Sequence, residues 1–328
     1  MTMQSEFDLI RAYFTGLGAT RADVALDIGD DCALLRPPAG HELAVSIDTL
    51  VADVHFFADC DPLALGYKAL AVNLSDLAAC GATPAWVTLA LTVPQFDADW
   101  LRNFARGFND LAVEHGVRLI GGDTTRGPLT ITVQAHGFVP IGQGLRRSGA
   151  KPGDLIVVSG SLGGAGLALR QLKLKRADPS APSPLPALLN RLERPIPRLA
   201  LGQLLRGQAS AAIDLSDGLA ADVGHLLTAS HCGAMIELAQ LPLDQPVAAV
   251  IAATNEWELA VASGDDYELC FTLPLERLNQ LTQYANMAAC PLTVIGYVER
   301  QPGIRWHQPN GQSWQPERSG YDHFGNEA

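Results

Sequence analysis

The chain has 328 residues, enough for one large or two ordinary domains, and its 48% hydrophobic content allows a substantial core. No apolar run reaches the roughly 18 to 20 residues that span a bilayer, and the amino terminus lacks a secretory signal, so we expect a soluble cytoplasmic protein that binds no membrane. With 35 acidic and 23 basic residues, a net charge of -12, it should not bind nucleic acid, and a polyanionic substrate would need metal ions.

Residues 1–140 are predicted to form one mixed α/β unit. Apolar residues recur at three- and four-residue spacing over 5–18, which indicates a helix. A strand is predicted at 41–51 and an aspartate-capped helix at 61–84. A strand, an amphipathic helix and two strands around a glycine-rich turn complete the unit, in AWVTLALTVP, DADWLRNFARGFNDLAVEHG and VRLIGGDTTRGPLTITVQAHGFVP.

The second half begins after a segment, 141–154, whose glycine and basic residues suit a connection between domains. Strand and helix patterns then resume with LIVVSG and GGAGLALRQLKLK. Two acidic turns, in IDLSDG and SGDDYE, each adjoin an apolar run. We therefore predict a two-domain α/β fold of mixed α+β type, with domains at 1–140 and 150–328.

The glycine-rich stretch VVSGSLGGAGLAL invites interpretation as a nucleotide-binding loop. No Lys-Ser or Lys-Thr follows its glycines, so it is no Walker A loop. No acidic residue ends a strand about 20 positions later, as a dinucleotide-binding fold would require. A tight turn from strand to helix is the favoured interpretation.

Aspartates are the stronger chemical signal, because most lie beside glycine or at the edge of an apolar run. They are Asp27, Asp30, Asp31, Asp48, Asp76, Asp123, Asp214 and Asp217. Any one of them alone is more simply explained as a cap or a turn former. As a set, with no cysteine pair or histidine partner nearby, they favour a hard cation such as Mg²⁺, completed by substrate phosphates.

Basic residues near these aspartates could bind phosphate. Arg126, Arg146 and Arg147 offer bidentate guanidinium groups, although Arg126 could equally be a surface charge. His55, in DVHFF, is more often structural than catalytic in such a context.

The acidic and glycine-rich segments together resemble the thiamine-monophosphate kinases, of the aminoimidazole-ribonucleotide-synthetase-like superfamily. The resemblance spans nearly the whole chain, in family order, through GDDCALL, SIDTLVADVHF, GYKALAVNLSDLAACGATP, LIGGDTTRGPLTITVQAHG, RSGAKPGDLIVVSGSLGGAGLAL, AIDLSDGLAADVGHL and SGDDYELCFT. It implies two α/β domains, the first pairing its strands with a second subunit into a dimeric sheet or barrel, hence a homodimer. It implies transfer of the γ-phosphoryl group of ATP onto thiamine monophosphate, in line and assisted by several Mg²⁺ ions, in thiamine diphosphate biosynthesis.

The resemblance also implies site residues. The magnesium positions map onto Asp30, Ser46, Ile47 through its carbonyl, Asp48, Asp76, Asp123, Asp214 and Asp217. ATP would contact Gly122, Asp123, Arg147 and Ser216, and thiamine monophosphate would contact His55, Glu268 and Phe324, where relatives often carry tryptophan. Catalysis would depend most on Asp48, Asp123 and Asp217. Within the first acidic segment we expect Asp30 to touch metal, and Asp27 and Asp31 either to shape the turn or to contact the metal ligands from behind.

The implied chemistry agrees with the composition. The acceptor is an ionised phosphate, so the protein must position and neutralise charge rather than abstract a proton. Two alternatives stay open. One is another ATP-using synthetase of the superfamily, although the reactive cysteine of a selenide-activating relative is not evident; the other is a nucleotide-binding protein that has lost turnover.

Overall fold

A computed structural model describes residues 5–324 of the chain. The chain divides into two compact units. The amino-terminal unit comprises the described residues up to Leu77 together with Ala82–Gly142. The carboxyl-terminal unit comprises Ala78–Gly81 and the described residues from Gln143 onward. Among residues 5–324, no helix has the length and hydropathy needed to cross a membrane.

The amino-terminal unit is an open four-stranded sheet with helices. Its elements are α1 Glu6–Tyr13, β1 Val24–Leu26, β2 Leu34–Leu35, β3 His41–Val51, α2 Pro62–Ala79, β4 Thr83–Val93, α3 Ala98–Glu114, β5 Arg118–Arg126 and β6 Thr130–Pro140. The strand order is β3-β6-β4-β5, with only β4 and β5 parallel, and β1 and β2 form a separate pair. The strand predicted at 41–51 is confirmed as β3.

Two glycines set the approach of α2 and α3. A Cβ at Gly66 would lie 2.0 Å from the Phe104 carbonyl oxygen, and one at Gly107 would lie 1.8 Å from that of Leu63. Neither position can carry a side chain while the two backbones lie this close. The crossing seats Phe104 and Phe108 in the core, where neither is exposed.

The edge strand β3 has an exposed apolar row. Leu43, Val45 and Ile47 alternate along it, so their side chains share one face, and each is about half exposed. Ser46 and Asp48 therefore point to the other face. An exposed apolar row on an edge strand is a surface suited to pairing with another chain.

The carboxyl-terminal unit is built on a seven-stranded sheet. Its elements are β7 Leu155–Ser159, α4 Gly164–Ala177, α5 Pro186–Glu193, α6 Leu199–Leu204, β8 Ala211–Asp214, α7 Leu219–Ala229, β9 Gly233–Glu237, α8 Gln245–Thr254, α9 Glu258–Val261, β10 Leu269–Leu273, α10 Leu281–Ala288, β11 Leu292–Glu299, β12 Gly303–His307 and β13 Ser313–Trp314. The strand order is β13-β12-β9-β11-β7-β10-β8, and only β12 and β9 are parallel.

The order β7-β10-β8 brings three turns together at one end of these strands. β10 runs antiparallel to both neighbours, with Cys270 opposite Val158 and Leu269 opposite Asp214. The carboxyl ends of β7 and β8 and the amino end of β10 therefore lie together at one end of these strands. The glycine-rich turn and both acidic turns of the sequence lie there.

Candidate active site

In the amino-terminal unit, two hydrogen bonds connect α2 to β3 and bring three predicted site residues together. The Ser46 hydroxyl donates to the Asp76 carboxylate in a short hydrogen bond. The backbone N–H of Asp48 donates to Asn73 Oδ1 at 3.1 Å. Asp48 and Ser46 share a face of β3, so Ser46, Asp48 and Asp76 are neighbours.

Asp123 lies far from this group within one chain. Across the sheet, Asp48 on β3 lies opposite Val133 on β6, which lies opposite Leu89 on β4. Leu89 in turn lies opposite Gly122 on β5, the residue before Asp123. Three strand spacings of about 4.8 Å separate β3 from β5, so the two aspartates lie about 14 Å apart across the sheet. They cannot ligate the same ion within one chain.

Only glycine fits at position 122, the residue before Asp123. Its φ is +153°, and a Cβ there would lie 1.8 Å from the Leu89 carbonyl oxygen. Asp123 Oδ1 accepts the backbone N–H of Thr124 at 2.9 Å, and the side chain is otherwise on the exposed part of β5. The strand therefore presents one carboxylate and a bare backbone segment side by side.

The segment that connects β1 and β2 carries Asp30 at an exposed position. Asp30 Oδ1 accepts the N–H of the adjacent Asp31 at 2.8 Å. Asp27, at the foot of this segment, instead accepts two hydrogen bonds from Arg118. Asp27 is therefore held by β5 at the start of this segment.

Two other predicted residues of this unit, His55 and Ile47, have backbone surroundings that constrain their roles. His55 Nδ1 accepts the N–H of Val51 at 3.0 Å, which holds the ring against the end of β3. The N–H of Asp48 points away from β6, so in an antiparallel ladder the N–H and C=O of Ile47 point toward β6 and Gln134. The carbonyl that the resemblance assigns to metal thus lies inside the ladder.

In the carboxyl-terminal unit, the β8–β10 ladder continues into the two acidic turns. Tyr267 N–H donates to the Leu215 carbonyl, and Asp265 N–H donates to the Ser216 carbonyl, both at 2.8 Å. Asp214, the last residue of β8, is buried. These bonds place Ser216 and the following Asp217 directly beside Asp265.

Two carboxyl groups at the turn after β8, those of Asp217 and Asp222, have raised pKa values. Burial is the main cause that raises the pKa of Asp217; the charge of Asp265 raises it further, and Arg147 opposes the shift. Burial, followed by the charge of Asp217, raises the pKa of Asp222 to about 7. A cation bound beside Asp217 would offset this desolvation and favour the ionised form of its carboxyl group. The structure thus brings Arg147, Asp217 and Ser216 into one neighbourhood.

Glu268, a predicted substrate contact, is instead buried in an ion pair with Arg198, and 3% of its side chain is exposed. In the same turn, it is the charge of Asp265 that contributes to the raised pKa of Asp217. The sequence interpretation did not single out Asp265. The signal available for it was its place beside Gly264 in SGDDYE, and two adjacent aspartates could not be told apart from sequence.

The carboxyl-terminal segment returns to Asp217. The N–H of Tyr321 donates to the Asp217 carbonyl at 3.0 Å, and a Cβ at Gly320 would lie 2.6 Å from the same oxygen. Burial raises the pKa of Asp217, and the charge of His323 partly opposes that shift. Phe324, the predicted aromatic contact, is 98% exposed, so Tyr321 is the aromatic residue that the backbone fixes at this turn.

The glycine-rich turn before α4 is confirmed as a tight strand-to-helix connection. Both carboxylate oxygens of Asp266 accept the Gly163 N–H at 3.0 Å. That amide, at the start of a 14-residue helix, is therefore already bonded within the protein. A phosphate has no place there while Asp266 occupies it.

Metal-binding side chains are not preassembled in either unit. Across residues 5–324, no three His, Cys, Asp or Glu side chains are grouped closely enough to hold an ion. The predicted magnesium set is divided between the units, with Ser46, Asp48 and Asp76 in one cluster and Asp214 and Asp217 in another.

Family models match most of the chain. Residues 29–139 match the AIR synthase related protein, N-terminal domain, and residues 151–307 match the C-terminal domain of the same family. The thiamine-monophosphate kinase of Escherichia coli O157:H7 is 49% identical over 325 residues, which cover 97% of this chain and 98% of that protein. The chain belongs to the thiamine-monophosphate kinase family.

Solved structures of this family share the fold. A crystal structure of thiamine-monophosphate kinase from Stenotrophomonas maltophilia is 42% identical, covers 96% of this chain and 98% of its own, and has a TM-score of 0.83. AaThiL complexed with AMPPCP and TMP is 29% identical, with coverage of 99% and 100% and a TM-score of 0.77. The predicted two-domain α/β fold of the thiamine-monophosphate kinases is confirmed.

Proposed function

We propose that this chain transfers the γ-phosphoryl group of ATP to thiamine monophosphate, giving thiamine diphosphate and ADP in thiamine diphosphate biosynthesis. The observation that carries the proposal is the match to thiamine-monophosphate kinases over 97% of this chain. The AaThiL complex with AMPPCP and TMP supports both ligands.

The acidic side chains fit Mg²⁺. They offer carboxylate oxygens, the ligands that Mg²⁺ prefers, and backbone hydrogen bonds place Asp217 directly beside a second carboxylate, Asp265. Bound Mg²⁺ would neutralise the phosphates and the charge that develops between them. The residues we propose to hold several such ions are Asp30, Ser46, Asp48, Asp76, Asp123, Asp214 and Asp217.

The contacts to ATP and thiamine monophosphate are assigned from the positions of side chains and exposed backbone. Gly122 leaves backbone open to a phosphate, while Arg147 and Ser216 lie at the Asp217 turn, so we assign these three residues to ATP. We assign the thiamine end to His55 and to an aromatic residue of the carboxyl-terminal segment. Tyr321 or Phe324 could stack on the cationic thiazolium ring.

We propose that the active enzyme is a homodimer and that its amino-terminal unit, within residues 1–140, provides the subunit contact and part of the Mg²⁺ and ATP site. Two observations support this. The exposed row of Leu43, Val45 and Ile47 lies on an edge strand, and Asp48 and Asp123 lie about 14 Å apart in one chain. A second copy would cover the row and could bring Asp123 to Asp48.

The experiment is direct. Purified protein is incubated with ATP, Mg²⁺ and thiamine monophosphate, and thiamine diphosphate and ADP are separated by chromatography. We expect equal amounts of both products, and no ADP when the acceptor is omitted. ADP without thiamine diphosphate would indicate a different acceptor, and the absence of both would refute the proposed activity.

A further inference from the structure

Glu268 makes an unusually complete set of buried contacts. Arg198 donates from Nε to Oε2 and from Nη2 to Oε1, both at 2.6 Å, which is a bidentate fork. The Ser159 hydroxyl donates to Oε2 at 2.6 Å. With 2% of the residue exposed, the carboxylate faces protein on all sides.

The glycine-rich turn is shaped around this carboxylate. A Cβ at Gly160 would lie 1.9 Å from Glu268 Oε1, so the carboxylate fills the space that any side chain at Gly160 would need. Arg191 donates to the Ser161 carbonyl in a short hydrogen bond and approaches Glu268 Oε1 at 3.4 Å. Glu268 therefore ties the end of β7 to both arginines.

The backbone of the same residue reaches the other acidic turn. The Glu268 carbonyl accepts the N–H of Leu215 at 2.8 Å, immediately before Ser216 and Asp217. Just before Glu268, Asp265 and Tyr267 have φ values of 62° and 48°, in the left-handed region that non-glycine residues avoid. Such a backbone persists only where its surroundings hold it, and the ion pair of Glu268 lies at its end.

We propose that Glu268 is a positioning residue rather than a substrate contact. Its ion pair with Arg198 fixes the acidic turn 264–268, and the backbone bonds of that turn fix Ser216 and Asp217 in the geometry that binds Mg²⁺ and nucleotide. This inference rests on the proposed function, since it assigns Asp217 to the cation. It gives the buried carboxylate a role that is consistent with its lack of exposed surface.

The test substitutes Glu268→Gln, which keeps the shape and removes the charge. With AMPPCP present, the Mg²⁺ concentration that gives half of the maximal rise in melting temperature is measured, and then the Mg²⁺ dependence of turnover. We expect both midpoints to rise about tenfold, the lower end of the loss for partners that orient metal ligands. Saturating Mg²⁺ should restore kcat, and KM for thiamine monophosphate should not change.

Glu256→Gln is the matched control. Glu256 forms an exposed ion pair with Arg170 at 2.7 Å in the same unit, and we expect both Mg²⁺ midpoints to stay at the wild-type value. Arg198→Lys is the second test variant, because it keeps the positive charge and loses the fork. It should move the midpoints in the same direction by less, and it provides the measurement if Glu268→Gln does not fold.

The alternatives give different results. A higher KM for thiamine monophosphate with unchanged Mg²⁺ midpoints would overturn the proposal and make Glu268 a substrate contact. A lower melting temperature with unchanged midpoints would overturn it and leave Glu268 a purely stabilising residue. If the wild-type protein shows the Mg²⁺-dependent rise with AMPPCP but makes no thiamine diphosphate, the proposed function fails, while the shift in midpoint still tests Glu268.

Discussion

Arg118, on β5, holds Asp27 through two nitrogens on one carboxylate oxygen, with Nε at 3.0 Å and Nη2 at 2.5 Å from Oδ2. Its third donor, Nη1, bonds the Gly16 carbonyl at 3.0 Å. Asp27 begins the segment that carries Asp30, and Arg118 begins the strand that carries Asp123. The ion pair therefore fixes two predicted Mg²⁺ ligands of the same unit relative to each other.

Asp27→Asn should weaken this connection. Both side chains are partly buried, at 28% and 17% exposure, so we expect the free energy of unfolding to fall by about 1 to 2 kcal/mol, as for a hydrogen bond to a charged group. The Mg²⁺ requirement should rise as well. Urea unfolding and a Mg²⁺ titration of activity measure the two effects. Asp99→Asn, which breaks the exposed pair with Arg102, is the control, and equal losses in both variants would contradict the prediction.

Mixing two inactive variants tests whether the site is shared between subunits. Asp48→Asn and Asp123→Asn should each lower kcat/KM on the order of tenfold to a thousandfold, as for electrostatic groups that stabilise a transition state. After unfolding and refolding together, half of the dimers would be mixed and would have one intact site. We therefore expect about a quarter of wild-type activity to return.

The matched control for that experiment mixes Asp48→Asn with Asp76→Asn. Asp76 bonds Ser46, on the same face of β3 as Asp48, so our proposal assigns both acids to one site from the same chain. No activity should return from this mixture. Recovery in neither mixture would place Asp48 and Asp123 in sites that do not cross the subunit boundary.

Local patterns predicted well what depends on neighbours in sequence, and poorly what depends on distant strands. The strand at 41–51 follows from alternation that the sequence displays directly. The separation of Asp48 from Asp123 follows from the strand order β3-β6-β4-β5. That order cannot be predicted from the pattern of any one segment of the sequence. Glu268 shows the same limit, because its burial depends on Arg198, seventy residues away along the chain.

Ile47→Glu should disrupt the proposed dimer. Ile47 is 59% exposed in the apolar row of β3, and a charge there would be buried without a partner when a second copy covers the row. Sedimentation should detect a monomer at concentrations where the wild type is a dimer. Val113→Glu, at an exposed apolar position on α3, is the control and should remain dimeric. A dimeric Ile47→Glu protein would place the interface elsewhere.

Asp266 should make the protein less stable as pH rises. Burial is the main cause that raises the pKa of Asp266 to about 8, against an ordinary value of 3.8. Between those values the unfolded chain releases a proton that the folded protein keeps, so the free energy of unfolding falls with increasing pH across this window. Asp266→Asn removes that dependence and can still accept the Gly163 N–H. Its stability relative to the wild type should therefore be higher at pH 8 than at pH 5, measured by urea unfolding at both values.

Thr272→Val, a neutral buried change on β10, is the control and should give the same difference in stability from the wild type at both pH values. An equally constant difference for Asp266→Asn would mean that Asp266 stays ionised in the folded protein.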